Sequence, residues 1–582
     1  MDNIEGDMSL LTNLKSKFNV KSTWFSILIS IIIGILAGLF AVLFRNMISF
    51  AGSGFSGIGN FLFGFLPGNW WLITVPALAG FVVGPLTYFF AREAKGHGVP
   101  EVMAAVALKN GRMRMRVIFV KALASASSIG AGASVGREGP IVQMGSGIGS
   151  VIGQFFKMNA KKIKTCVACG AAAGISATFN APIAGVFFAL EIILGSFSAN
   201  AFSLIVVSSV TASVIAQIFV GDAPAFIVQP YSLNHPFELM LYALLGTFAA
   251  IIGTLFVKTL YKSEDLFDGW NVIPEWLKPV FGGLIIGLIG LKFPQILGVG
   301  YETIEATFKG ELLLGTLIAL VFIKIFATSL TLGSGHSGGV FAPSLFIGAT
   351  LGGAFGLIMQ VLFPEFVGNP GAYAIVGMGA VVAGTTQAPI TSVIMIFEMT
   401  RDYRIILPLM IAIVFSTLLS SYLSKGTIYT IKLLRRGINL KAGKDVNIMK
   451  RIKVADVMTT PVEICRKDNK VRKVIEMMHH SKHNGFPVLN DKDQLVGIIT
   501  LQDVREAPVE GIMERLVSEL MTSKLVVTFP EETLDDVFRK LSKYDLGHLP
   551  VVSKEDPKKL LGILTRSDII KAYNKQLLPQ QL

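Results

Sequence analysis

The chain has 582 residues, of which 52% are hydrophobic and 16% charged, with a net charge of +13 and a mean hydropathy of +0.61. Soluble domains carry nearer about a quarter charged residues, so an ordinary soluble protein is excluded. The basic excess does not indicate nucleic acid, because it is clustered between apolar runs, at Lys15, Lys17 and Lys21, at Arg112, Arg114 and Arg116, at Lys161, Lys162 and Lys164, and at Arg435 and Arg436. Such clusters mark the cytoplasmic loops of a membrane protein.

Residues 1–21 read as a polar cytoplasmic lead. The first strong apolar run, 24–48, is too long for a signal-peptide core and is expected to remain as a spanning helix. Its Gly34 and Gly38 form a G-x-x-x-G that suits close helix contact in lipid. Residues 49–69, glycine-rich with scattered Phe, read as a loop or re-entrant piece. Trp70 and Trp71 open a helix to about Phe90, followed by a Gly/Pro break at Gly96-His97-Gly98-Val99-Pro100-Glu101. Apolar runs long enough to cross a bilayer core, about 20 residues, recur to Leu423, but those between 117 and 195 are short and interrupted. Longer runs follow near 200–220, 236–262, 278–292 and 344–363. An amphipathic piece over 424–440 holds Tyr429. Beyond 440 the composition becomes that of a soluble region.

Two stretches repeat at an offset of 203 residues without a gap. Gly136-Arg137-Glu138-Gly139-Pro140 falls on Gly339-Val340-Phe341-Ala342-Pro343, Lys121 on Lys324, and Gly145 and Gly149 on Gly348 and Gly352. Farther on, Asn180-Ala181-Pro182-Ile183 through Glu191 parallels Gln387-Ala388-Pro389-Ile390 through Glu398. Repeated, interrupted hydrophobic segments are what discontinuous helices look like in sequence, and in transporters they frame a site near the midplane. The spacing leaves open whether the copies run parallel or inverted.

A glycine break exposes backbone N–H groups that must be buried in protein or line a polar cavity. Each helix start also carries about half a positive charge. Several starts aimed at one point make an anion site that attracts an ion without trapping it as a lysine would, which suits conduction. A cation pore would want rings of carboxylates, and the acidic residues within the apolar runs are chiefly Glu138, Glu191 and Glu398. Glu138 lies where the amides favour negative charge. Ionised, it competes with a permeant anion; protonated, it leaves. It is therefore the candidate gate and proton carrier. Arg137 is expected to pair with a carboxylate or reach water. Glu191 and Glu398 read as helix-end residues near the membrane surface. Cys166 and Cys169 form a C-x-x-C in a small apolar run with no second cysteine pair or histidine cluster, so free buried cysteines are expected and no metal site.

The three breaks at 96–100, 136–140 and 339–343 resemble, in order and spacing, the signature segments of the CLC chloride channels and proton-coupled chloride transporters. The resemblance covers roughly 24–440. It implies a polytopic α-helical membrane protein with an inverted internal repeat and broken or re-entrant helices, a homodimer with one pore per subunit, and an anion held by helix N-termini. Val340 and Phe341 would offer amides to the central anion. Arg137, Glu138 and Gly139 would line the outer site, with Glu138 as the gating glutamate. Tyr429 would be the pore tyrosine. Two departures stand out. The first break has His97, beside Gly98, where the family usually has a serine that touches the anion. The inner proton-transfer glutamate of the coupled members falls on Ile192, just after Glu191. That favours passive chloride conduction, with proton/chloride antiport through Glu138 and another inner route as the alternative.

The tail holds a second repeat. Val454-Ala455-Asp456-Val457-Met458-Thr459 parallels Val517-Ser518-Glu519-Leu520-Met521-Thr522, and Gly497-Ile498-Ile499-Thr500 with Asp503 parallels Gly562-Ile563-Leu564-Thr565 with Asp568. The copies resemble tandem cystathionine-β-synthase (CBS) domains of α/β type. The expected layout is a lead at 1–21, a membrane anion pathway at 22–440, a linker at 441–453, and CBS domains at 454–507 and 517–574. By resemblance, Thr500, Asp503, Thr565 and Asp568 would contact an adenine nucleotide; otherwise each Asp caps its helix. A nucleotide-sensing cation transporter is the reading from another class, disfavoured by the lack of intramembrane acidic clusters. No nucleophile–base pair, metal cluster or phosphate loop suggests an enzyme, and no cofactor is required. The expected setting is a prokaryotic inner membrane with both termini cytoplasmic.

Overall fold

The computed structural model describes residues 23–577 apart from 65–69, 229–232, 234, 441–448, 451, 482 and 509. The expected lead at 1–21 and most of the linker at 441–453 lie outside the described residues. The chain divides into two compact units, Met1–Arg435 and Arg436–Leu582.

The first unit is helical. Its first half contains α1 (Thr23–Phe63), α2 (Thr74–Pro85), α3 (Val99–Leu108), α4 (Met115–Gly130), α5 (Glu138–Phe155), α6 (Ala160–Phe179), α7 (Pro182–Phe188) and α8 (Ala199–Val220). The second half contains α9 (Glu238–Asp268), α10 (Lys278–Lys292), α11 (Tyr301–Phe308), α12 (Leu314–Ser334), α13 (Phe341–Leu362), α14 (Pro370–Thr386), α15 (Pro389–Thr400) and α16 (Ile406–Leu423), and a short α17 (Thr430–Arg435) follows. Among the described residues, seven helices are long and apolar enough to cross a membrane. The stretch 49–69, expected as a loop or re-entrant piece, is instead helical as far as Phe63, continuing α1. Its glycines do not break the helix, because they pack: Gly52 lies against Gly130 of α4 and Gly59 against Val75 of α2.

The halves are copies. In each, the first and last helices pack together, α1 on α8 and α9 on α16, as do the fifth and sixth, α5 on α6 and α13 on α14. Between the halves, α2 packs on α10 and α7 on α15. Elements that touch their own counterparts lie on a two-fold axis. The breaks do the same: Gly136 N–H donates to the Gly339 carbonyl at 2.8 Å, Gly339 N–H returns the bond at 2.6 Å, and the pairing is antiparallel. The copies are therefore inverted, which the spacing alone had left open.

Local chemistry explains where the helices begin. Pro100, Pro140, Pro182, Pro343 and Pro389 all fall in first turns, where a missing N–H costs nothing and a fixed φ favours the helix. The second echo ends the preceding helices identically: Asn180 and Gln387 both adopt left-handed backbone at the ends of α6 and α14.

The second unit carries two small modules. In the first, β1 (Cys465–Arg466) runs parallel to β2 (Gly485–Leu489), which pairs antiparallel with β3 (Leu495–Thr500); α18 (Val471–Ser481) connects β1 to β2 and α19 (Leu501–Glu506) follows β3. After α20 (Val517–Leu520) and α21 (Leu534–Lys543), the second has β4 (His548–Val552) antiparallel to β5 (Leu560–Thr565), then α22 (Arg566–Leu577). The modules exchange their leading segments. Ile452 and Val454 join the core of the second module with Leu534, Leu549 and Leu564, whereas Val517 joins the first with Val471, Phe486 and Ile499.

Candidate functional site

Three helix starts meet around Glu138, and a fourth helix reaches it through the side chain of its first residue, Tyr301. Gly98 caps α3, Arg137 caps α5, Gly300 caps α11 and Val340 caps α13. Contact here is too close for side chains. A Cβ on Gly139 would lie 2.3 Å from the His97 carbonyl oxygen and 3.0 Å from the Gly339 Cα. Gly98 sits at φ +79°, and a Cβ there would lie 3.1 Å from the Gly139 carbonyl oxygen. Only glycine permits that approach without strain. The residues singled out by sequence are thus gathered together: His97, Glu138, Val340, Phe341 and Tyr429 are all buried, and the His97 and Tyr429 rings lie 6.0 Å apart.

Glu138 reaches across to the second copy. The Ala342 N–H donates to its Oε2 at 3.3 Å, and the Tyr301 hydroxyl donates to its Oε1 at 2.8 Å. The carboxylate therefore occupies a seat at the start of α13, beside Val340 and Phe341. Arg137 was expected to find a carboxylate or water. Its guanidinium lies over the Tyr301 ring, 5.4 Å from the centroid, and donates to the Thr178 carbonyl at 3.4 Å. It also borders a cavity of about 330 Å³ that Arg45, Asn180, Gln217 and Tyr301 line as well. Tyr429 is held by its neighbour: Ile428 N–H donates to the Thr385 carbonyl at 2.8 Å, and the Ile428 carbonyl accepts from the Tyr261 hydroxyl.

Glu191 and Glu398 are not merely helix-end residues near a surface. Each caps the other copy's broken helix. Glu398 accepts from Ile183 N–H at 3.0 Å and Ala184 N–H at 2.6 Å, at the start of α7. Glu191 accepts from Ile390 N–H, Thr391 N–H and the Thr391 hydroxyl, at the start of α15. Carboxylates at such starts satisfy orphan donors and complement the dipole. Cys166 and Cys169 are free and buried as expected, and among the described residues no group of His, Cys, Asp and Glu could hold a metal.

Sequence reasoning missed Tyr301, and also Lys324 as more than a repeat landmark. Lys121 Nζ donates to the carbonyls of Ala94 and Gly96, and Lys324 Nζ to those of Ile296 and Gly298. The readable signal was the match of Gly96-His97-Gly98-Val99 with Gly298-Val299-Gly300-Tyr301, which a gapless offset hides: one residue more separates loop from lysine in the second copy.

In the second unit, Thr565 and Asp568 border a cavity of about 490 Å³ between the modules, with His483, Asn484, His548 and Lys571. Both threonine–aspartate pairs form reciprocal helix caps: Asp503 accepts from Thr500 N–H and hydroxyl, Asp568 from Thr565 N–H and hydroxyl. The Asp503 carboxylate also accepts from the Thr522 hydroxyl. Burial and the neighbouring His483 hold the His548 imidazole below its ordinary pKa.

An inverted pair of eight-helix copies, with three helix starts and a tyrosine hydroxyl facing one buried carboxylate inside an apolar body, defines a polytopic membrane protein built around discontinuous helices. The chain belongs to the voltage gated chloride channel family, whose model matches residues 79–421, and it carries two CBS domains, matched at 454–510 and 517–575. It is 35% identical over 348 residues, 59% of this chain and 81% of the other, to a putative ClcB-like chloride channel protein of Ralstonia nicotianae. It is 36% identical over 354 residues, 60% of this chain and 74% of the other, to the H(+)/Cl(-) exchange transporter ClcA of Salmonella paratyphi B. The structure of a slow cyanobacterial Cl-/H+ antiporter matches with a TM-score of 0.66 at 28% identity, covering 71% of this chain and 97% of that one.

Proposed function

We propose that the protein exchanges chloride for protons across a bacterial inner membrane, with Glu138 carrying the proton and gating the anion path. One observation carries this reading: the Glu138 carboxylate sits on the Ala342 N–H, a donor at the helix start where an anion would bind. Anion and carboxylate contend for one seat. A chloride enters when the carboxyl group takes a proton and withdraws, so each exchange of occupant is tied to a protonation. Val340 and Phe341 amides, Gly98, Gly139, His97 and the Tyr429 hydroxyl complete the surroundings of the anion, and Arg137 draws anions toward the path from the cavity. The relatives named as exchangers support this reading over the passive conduction expected from sequence.

The test uses the purified protein in liposomes holding a chloride gradient and no initial pH gradient. Exchange drives protons against their own gradient as chloride runs down. Chloride flux without such proton movement rejects exchange. Passive conduction is the second reading, and a specific observation favours it: Ile192 stands where an inner proton carrier would be needed, and the adjacent Glu191 is engaged as a helix cap.

We assign an adenine nucleotide to the cavity bordered by Thr565 and Asp568, as a regulator of transport. Its volume falls within the roughly 300–1,000 Å³ of small-molecule sites. Titration of the full-length protein with AMP and ATP tests this; binding unaffected by Asp568→Ala removes the assignment. A homodimer with cytoplasmic termini completes the proposal.

A further inference from the structure

Inversion lets the two copies build the two ends of one path from the same loop. In the first copy, Gly96 at φ +76° and Gly98 at φ +79° flank His97; in the second, Gly298 at φ +60° and Gly300 at φ +84° precede Tyr301. A buried lysine clamps each loop by its carbonyls, Lys121 in one and Lys324 in the other. The first loop delivers His97 beside Tyr429. The second delivers Tyr301, whose hydroxyl lies on Glu138 at 2.8 Å and whose ring carries the Arg137 guanidinium. Tyr301 also borders the cavity of about 330 Å³, so it stands between that cavity and the carboxylate.

We propose that Tyr301 is the positioning residue that latches Glu138 in the anion seat, and that the loop carrying it sets the pH at which the path opens. The inference rests on Glu138 being the gate. The charged and titratable groups facing Glu138 are Arg137 on its own helix end, Tyr301 from α11, and Tyr429 from the loop before α17, with the buried His97 imidazole from the loop before α3 beside Tyr429; α13 contributes an amide and no charge. A phenol that donates to a carboxylate stabilises the charged, seated form. Donor bonds to charged groups are the strong ones. Removing this one weakens the seated carboxylate, so protonation and opening occur at higher pH. Arg137, stacked on the ring, keeps the phenol's tilt and adds an attraction that survives loss of the hydroxyl.

Chloride flux from liposomes, measured against pH for the parent, Tyr301→Phe, Glu138→Gln and the double variant, tests this. Tyr301→Phe is expected to move the flux–pH curve upward by about one unit. Glu138→Gln should flatten the curve, and adding Tyr301→Phe to it should change nothing further. A Tyr301→Phe curve that overlays the parent's, while Glu138→Gln remains flat, overturns the latch and leaves the gate standing. A Glu138→Gln curve as steep as the parent's overturns the gate itself. A double variant with much less flux than Glu138→Gln assigns Tyr301 a structural part only and also overturns the latch.

Discussion

Removing one of the crossed caps isolates what holds the inverted copies together. Glu398→Ala takes the acceptor from Ile183 N–H and Ala184 N–H, bonded at 3.0 and 2.6 Å. Ile183 is half exposed on the apolar face of the unit, where lipid rather than water would be the neighbour, so no solvent replaces the lost partner. An unsatisfied buried donor costs about 1–3 kcal/mol, which gives about 2–6 kcal/mol for the pair. Glu398→Gln keeps one acceptor oxygen and loses mainly the charge at the helix start, about 1 kcal/mol. The melting temperature of the detergent-solubilised full-length protein, followed by size-exclusion of heated samples, should fall by about 2–6 °C for Glu398→Ala and by less than half of that for Glu398→Gln. Glu191→Ala removes an acceptor of three donors and should cost at least as much. A Glu398→Ala protein that melts with the parent refutes the reasoning, as does a Gln variant as damaged as the Ala one.

The two lysine clamps predict a crossed pattern. Lys324→Met strips the donor from the Ile296 and Gly298 carbonyls, so hydrogen exchange should quicken over 296–301 and not over 94–99, and Lys121→Met should do the reverse. The α5–α6 contact predicts intolerance of a single methyl group: a Cβ on Gly145 would fall 2.2 Å from the Gly170 carbonyl oxygen, so Gly145→Ala should lower stability by about 1–3 kcal/mol, read as reduced recovery of folded protein. In the second unit, burial and the neighbouring His483 lower the His548 pKa. Because its folded pKa lies below the unfolded value, stability is full above about 6.5 and declines as pH falls through that value toward the folded one. Amide exchange in β4, corrected for intrinsic rates, should therefore quicken between pH 7.5 and 5.5 in the parent and not in His548→Gln.

Much was legible without coordinates because its causes are local. Glycine breaks followed by first-turn prolines mark helix starts wherever they occur, and the match of Gly136 with Gly339 and of Asn180 with Gln387 follows from letters alone. Apolar runs fixed the membrane class, and Thr500–Asp503 and Thr565–Asp568 were readable as caps because capping spans three residues. Residues 49–69 misled, since scattered glycines signal a loop only where the surroundings cannot sustain a helix.

The sequence by itself determined that two copies of one broken-helix unit lie in apolar surroundings and that Glu138 has no acidic counterpart in the other copy. Only the tertiary structure decided that the copies are inverted, because the decisive contact, Gly136 on Gly339, joins residues 203 positions apart. It alone brought Tyr301 to Glu138 and crossed Glu191 and Glu398 between α15 and α7. A periodic pattern reports which face of a helix is apolar; it carries no record of which distant polar group arrives to satisfy a helix start, since that depends on how two separately formed units are rotated onto each other.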